Sequence, residues 1–239
     1  MPIVITNDDG IDAAGLRALA GAVEAACGAE VYIVAPDRGY SGCSQQVTMH
    51  APIPVTERGP REFAIGGTPA DCARLAITTL APNCRLILSG INHGGNMGHD
   101  ILLSGTVGAA REAACLGVSA VAFSQYLRGG REVDWPRTAR WAVAVLGTLP
   151  LDNSGPAQLW NVNFPFRDGA DGALPPVARC EPCPRPLPVA YAFSEGACTY
   201  DGSRYHERAQ EEGTDVSACF GGSIAVSRLP VAVFRESGR

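Results

Sequence analysis

The feature that most restricts the fold is a series of short, mainly apolar runs separated by helical stretches. Residues 2–6, 30–36, 85–89, 119–124 and 158–165 carry PIVIT, EVYIVAP, RLILS, SAVAFS and QLWNVNFP. Most are hydrophobic throughout rather than at alternate positions, the pattern of a strand covered on both faces. The intervening segments carry apolar residues at helical spacing and predict helices over 13–27, 69–80, 135–149 and from Gly105 or Thr106 onward. Strand alternating with helix predicts an α/β/α sandwich around a mostly parallel sheet. Segments 47–57 and 62–66 form a β excursion broken by Pro52 and Pro54, and Thr68-Pro69 is a cap followed by a first-turn proline.

The pattern changes near residue 166. Residues 167–190 are rich in proline and glycine, and 191–228 read as short strands and turns without helical period. The expected organisation is a catalytic core over 1–166 and, over 167–239, a β-rich arm and C-terminal segment that pack on the core or on a second subunit.

Composition narrows the function. A hydrophobic content of 46% supports a sizeable core, and a net charge of −5 offers no basic footprint for nucleic acid. All 19 basic residues are arginine, which removes every mechanism that needs a lysine. The first strand begins at Pro2 with no leader pattern ahead of it, and no apolar run reaches the ~18 residues of a membrane span. Nine cysteines, an odd number in largely apolar surroundings, suit reduced thiols in a cytoplasm. Cys180 and Cys183 have the spacing of a metal pair, but no second pair or histidine cluster accompanies them, so they read as ordinary thiols.

In an open α/β sheet the ligand lies beyond the carboxyl ends of the strands. Asn7, Asp8 and Asp9 follow the first strand; Asp37, Arg38, Tyr40, Ser41 and Ser44 follow the second. Ser89, Asn92, His93 and Asn96 follow the third long run, with Ser104, Gly105 and Thr106 soon after. Carboxylates with hydroxyl and amide oxygens suit a hard cation such as Mg²⁺ or Mn²⁺. Glycine-rich SGINHGGNMG and the helix starts after Thr68 and near Ser104–Thr106 offer N–H groups to an anion. Together these parts suit phosphoryl transfer to water. The structural alternatives stand beside them: Asp8 and Asp9 as a turn and cap, Asn92 and Asn96 as left-handed turn residues, Ser104 and Thr106 as caps.

Other phosphate chemistries fit less well. No G-x-x-x-x-G-K-[ST] is present, and G-x-G-x-x-G is missing after the first strand. Haloacid-dehalogenase-like phosphatases also begin strand-then-aspartate, but their aspartates are one residue apart and they use a lysine.

ITNDDGIDAAG, VAPDRGYSGCS, GGTPADCARL, LSGINHGGNMGHD and SGTVGAAREA, in this order, closely resemble the SurE-like survival proteins, and the likeness resumes at WNVNFP and in EGTDVSA. That family consists of metal-dependent 5'/3'-nucleotidases with a Rossmann-like core and a β arm that builds dimers or tetramers. The resemblance implies one divalent ion per subunit, Mg²⁺ or Mn²⁺, held by Asp8, Asp9, Ser41 and Asn92. It implies phosphate contacts from Asn96, Ser104, Gly105 and Thr106, with Asn7 in a supporting or phosphate role, and makes Asp8, Asp9 and Asn96 the catalytic candidates. A nucleotide substrate and a homodimer or homotetramer are the implied partners. The arm departs from the family: His206 stands where an aromatic is usual, and the chain stops at Arg239 without the full terminal helix often exchanged between subunits.

Overall fold

The computed structural model describes residues 2–151, 155–167 and 172–231. The last eight positions, where a terminal helix is in question, therefore lie outside the described residues, as do 168–171 at the start of the expected arm.

The chain opens with β1 (Ile3–Thr6), α1 (Ala14–Cys27) and β2 (Val31–Pro36). An antiparallel pair follows, β3 (Val55–Gly59) with β4 (Glu62–Ile65). Next come α2 (Pro69–Leu75), which runs into a wider π turn over Ala76–Leu80, and β5 (Leu86–His93). A short α3 (Asp100–Leu103) precedes α4 (Gly105–Cys115), β6 (Ala120–Gln125), α5 (Trp135–Leu146) and β7 (Leu159–Phe164). The remainder holds β8 (Val177–Arg179), the hairpin β9 (Tyr191–Ser194) and β10 (Ala197–Tyr200), a 3-10 turn over Gly202–Glu207, α6 (Asp215–Phe220) and β11 (Ile224–Leu229).

Nine strands form one sheet in the order β3-β4-β2-β1-β5-β6-β7-β11-β8. The pairs from β4 through β7 are parallel, and β11 returns antiparallel to β7. The mostly parallel α/β fold read from the apolar runs is the one observed. Because successive side chains of a strand point to opposite faces, β1 sends Ile3 and Ile5 into one core and Val4 into the other. The first core packs α1 and α5 through Leu16, Leu19, Val23 and Val145; the second packs α2 and α4 through Cys72, Ala73, Val107 and Ala110. Phe123 and Phe164, both fully buried, stack at 5.9 Å between ring centroids in the first core. Each such side chain contributes ~1.5–3 kcal/mol on burial.

The stretch after residue 166 is divided. β8 and β11 join the main sheet, and α6 packs with them through Val216 and Cys219 around a third small core that also takes Met97, Tyr126 and Cys183. Among the described residues only β9–β10 forms a separate sheet, exposing Tyr191, Phe193 and Tyr200. Two short helices escape the sequence pattern, α3 and α6, because four and six residues are too few to display a helical period. Residues 47–54, expected within the β excursion, lie outside it; Pro52 and Pro54 lack the N–H a ladder needs, and β3 starts only at Val55.

β2 and β5 flank β1, so the chain turns one way from β1 to β2 and later returns to β1's other side. The crevice at such a reversal, beyond the carboxyl ends of β1 and β5, is where an α/β sheet takes its ligand. Asp8 and Asp9 stand at its mouth.

Candidate active site

Asn7 builds the turn that presents the aspartates. Its Nδ2 donates to Gly10 O at 2.8 Å and its Oδ1 accepts from Gly10 N at 3.3 Å. The side chain is fully buried and both its polar atoms bond Gly10, so Asn7 shapes the turn.

Every neighbouring loop is fastened to the aspartate pair. Tyr40 N donates to Asp8 O at 2.7 Å, bringing Ser41 alongside, and Ser44 anchors the far end of that loop to the α3 carbonyls of Leu102 and Leu103. His93 N donates to Asp9 Oδ2 at 3.0 Å, which places Asn92 next to the pair. Thr106 Oγ1 donates to Asp8 Oδ1. Gly105 passes so close that a Cβ there would lie 2.8 Å from Asp8 Cβ and 2.8 Å from Cys43 Sγ. A Cβ on Gly108, one turn later, would meet Ser44 O at 2.1 Å. The glycines of SGTVG are thus needed for α4 to approach both loops.

Asp8 is 6% exposed, and burial pushes its carboxyl up to about 6; the Thr106 bond pulls the other way and Asp9 adds to the rise. Among the described residues neither aspartate has an ion-pair partner. Two adjacent carboxylates, one of them buried, call for a cation. The free donors suit one: Asp8 Oδ2 and Asp9 Oδ1 carry no hydrogen bond among the described residues, and neither does the exposed Ser41 hydroxyl. Asn92 donates through Nδ2 to Gly94 O at 2.8 Å, leaving Oδ1 open. Oxygen-only donors fit a hard divalent ion. No group of three or more His, Cys, Asp or Glu gathers among the described residues. Cys43 is no nucleophile: burial first and Asp8 second push its thiol up to about 11.

Asn96 sits across the crevice in a mesh of amides. Its N–H donates to Asn163 Oδ1 at 2.7 Å, its carbonyl accepts from Asn161 Nδ2 at 2.8 Å and Asn163 Nδ2 at 3.0 Å, and its Nδ2 reaches Ser124 Oγ at 2.8 Å. Sequence reasoning missed the roles of Asn161 and Asn163. The signal was present: two asparagines at alternate positions of an apolar strand share one face, and buried amides need partners.

The two helix starts differ. Thr68 caps α2, but Asp71 closes that end by accepting from Thr68 N at 2.9 Å and from Thr48 N at 2.9 Å, so it offers an anion little. Ser104 caps α4 by accepting from Val107 N at 3.1 Å, while the Thr106 N–H turns to the Asp8 carboxylate and the Gly105 N–H has no partner among the described residues. This open start lies beside Asp8.

Three comparisons with known proteins bear on the chain. The family model described as survival protein SurE matches residues 3–181. A relative from Nostoc sp. (strain PCC 7120) is 43% identical over 231 residues, 97% of this chain and 100% of its own. The 5'-nucleotidase SurE of Myxococcus xanthus is 46% identical over 165 residues, 68% of this chain and 62% of that protein. The crystal structure of the SurE protein from Aquifex aeolicus superposes with a TM-score of 0.81 at 27% identity, covering 98% of this chain and 95% of that one.

Proposed function

The chain belongs to the survival protein SurE family, and from that membership we propose that it hydrolyses nucleoside 5'- and 3'-monophosphates to nucleoside and phosphate with one divalent metal ion per subunit. The observation that carries this reading is the unpaired Asp8–Asp9 couple facing the open start of α4. Asp8, Asp9, Ser41 and Asn92 would hold the cation, Mg²⁺ or Mn²⁺. When bound, such an ion neutralises phosphoryl oxygens and acidifies water. Thr106 fixes the Asp8 carboxylate through Oδ1, and His93 N fixes Asp9 through Oδ2, so each aspartate turns its other oxygen to the site. Gly105 and Thr106, at the positive end of α4, would bind phosphate oxygens, Gly105 through its open N–H. Asn96 is held by Ser124, Asn161 and Asn163; its Nδ2 donates to Ser124 Oγ, which leaves Oδ1 for the substrate.

The exposed aromatics of the β9–β10 hairpin support assembly into a homodimer or homotetramer. Among the described residues no helix is long and apolar enough to cross a membrane. Nine free cysteines favour a reducing, cytoplasmic setting.

The test is phosphate release from 5'- and 3'-nucleoside monophosphates and p-nitrophenyl phosphate, with Mg²⁺, with Mn²⁺ and with EDTA. Release from nucleotides with either cation and none in EDTA is expected, and Asp9→Asn is expected to lower kcat/KM by about 100-fold or more. Undiminished release by Asp9→Asn would remove the metal assignment; release from p-nitrophenyl phosphate alone would point to another phosphomonoester.

A further inference from the structure

His93 lines a second hollow, a cavity of about 370 Å³ whose other walls are His206 and the loop 127–132. We propose that this cavity receives the nucleoside half of the substrate, with His93, His206 and Arg128 as its recognition residues; the proposal rests on the nucleotidase function above.

Position is the first argument. His93 follows Asn92, and its N–H is bonded to Asp9 Oδ2 at 3.0 Å, so the cavity wall begins one residue from the proposed cation ligands. A leaving group attached to a phosphate held there extends past His93. The His93 ring is backed by Trp135, with centroids 5.8 Å apart.

Preorganisation is the second. His206 Nδ1 meets Tyr126 Oη at 2.9 Å, and the ring stands edge-on to Tyr126 and Tyr205 at 5.9 and 5.8 Å. Its Nε2 has no hydrogen bond among the described residues. The 3-10 turn that carries His206 is bolted to the loop that carries Asn96. Tyr205 Oη donates to Asp100 Oδ2 at 2.9 Å; Arg208 bonds the same oxygen at 2.6 Å and Met97 O at 2.7 Å. Asp215, slightly further on, accepts from Gly98 N at 2.8 Å. These bonds set the distance between the phosphate side and the cavity.

The third argument is chemistry. Two imidazoles and the exposed Arg128 guanidinium offer flat faces and N–H groups, which match a heterocyclic base. Glu132 in the same wall offers an acceptor to sugar hydroxyls and disfavours a second phosphate. The volume is at the small end for ligand pockets, right for one nucleoside and too small for a longer chain.

The experiment compares kcat/KM for a nucleoside 5'-monophosphate with that for ribose 5-phosphate, which has no base, in the wild type, His206→Ala and Arg128→Ala. In each variant the nucleotide-to-ribose 5-phosphate ratio is expected to fall about tenfold, mainly through KM, as loss of one base contact implies. Arg128 is exposed, so its removal leaves folding intact even if His206→Ala proves unstable. An equal loss on both substrates, or an unchanged ratio, overturns the proposal. Should the wild type hydrolyse neither substrate, the nucleotidase function itself fails, and calorimetry with the free nucleoside then judges the cavity alone. Binding that His206→Ala or Arg128→Ala abolishes upholds it; absent or unchanged binding overturns it.

Discussion

Helices α2 and α4 begin with the same capping chemistry and end up in different roles. In both, a hydroxyl accepts from the N–H three residues on: Thr68 from Asp71 at 3.2 Å, Ser104 from Val107 at 3.1 Å. In α2 that third residue is an aspartate, which reaches back to Thr68 N and also takes the N–H and hydroxyl of Thr48. Pro69 removes a further donor. The helix dipole is answered from within the chain, and the result is a clamp on the 46–48 segment. In α4 the third residue is Val107, the Gly105 N–H stays open, and Thr106 turns its hydroxyl and its N–H to Asp8. A helix start is left able to take an anion only where the chain's own groups leave a donor there unused.

If the open start of α4 serves the reaction, crowding it should have the largest effect. Gly105→Ala would set a methyl 2.8 Å from Asp8 Cβ and Cys43 Sγ, forcing the aspartate or the helix to move. We expect kcat/KM to fall about 100-fold, because a small displacement at a reacting centre has that consequence. Steady-state assays beside a thermal melt separate this from unfolding, and a fully active alanine variant would mean that α4 and Asp8 are not held this close. Thr106→Val keeps the shape and removes only the hydroxyl on Asp8. Its expected loss is smaller, about 10- to 100-fold, the range for residues that orient a ligand. Thr106→Ser should recover most of it; a serine variant as impaired as valine would show that the methyl, not the bond, matters.

The contrast between the two starts also marks what a sequence can reveal. β1, β2, β5, β6 and β7 are legible because burial on both faces makes each a mainly apolar run, and the loops after them are therefore legible as the place to search. Asp8 and Asp9 stand out because an adjacent carboxylate pair after a strand exceeds what one cap needs. Thr68 and Ser104 look alike as caps; Asp71, three residues on, is a local sign that divides them, but its reach to Thr48, 23 residues back, is encoded by no local pattern. The same holds for Asn161 and Asn163 on the Asn96 backbone, 65 and 67 residues away, and for Asp215 on Gly98, 117 residues away. Asn7 is the opposite case: its two bonds go to Gly10, only three residues on, and make it the former of the turn.

At the closed start of α2 the prediction reverses: stability should fall while activity holds. Asp71→Asn weakens three hydrogen bonds to a buried carboxylate, from Thr48 N, Thr48 Oγ1 and Thr68 N. A loss of about 2 kcal/mol is expected, which lowers Tm by roughly 4–8 °C for a chain of this size. Changes in kcat/KM should stay within about twofold, as for independent sites. The sign with pH follows from Asp71 itself. Burial pushes its carboxyl up, but the bonds from Thr48 and Thr68 outweigh that and hold it below the ordinary value. The folded protein therefore releases this proton more readily than the unfolded chain. The stabilisation is complete above the ordinary carboxylate value of about 4 and is lost as pH falls through the lower folded value. Denaturant melts of wild type and Asp71→Asn should differ most near neutrality and converge in acid. A difference that stayed constant into acid, below the lowered folded value, would show that shape rather than charge closes this helix, and the distinction between the two starts would then rest on Val107 and Pro69 alone.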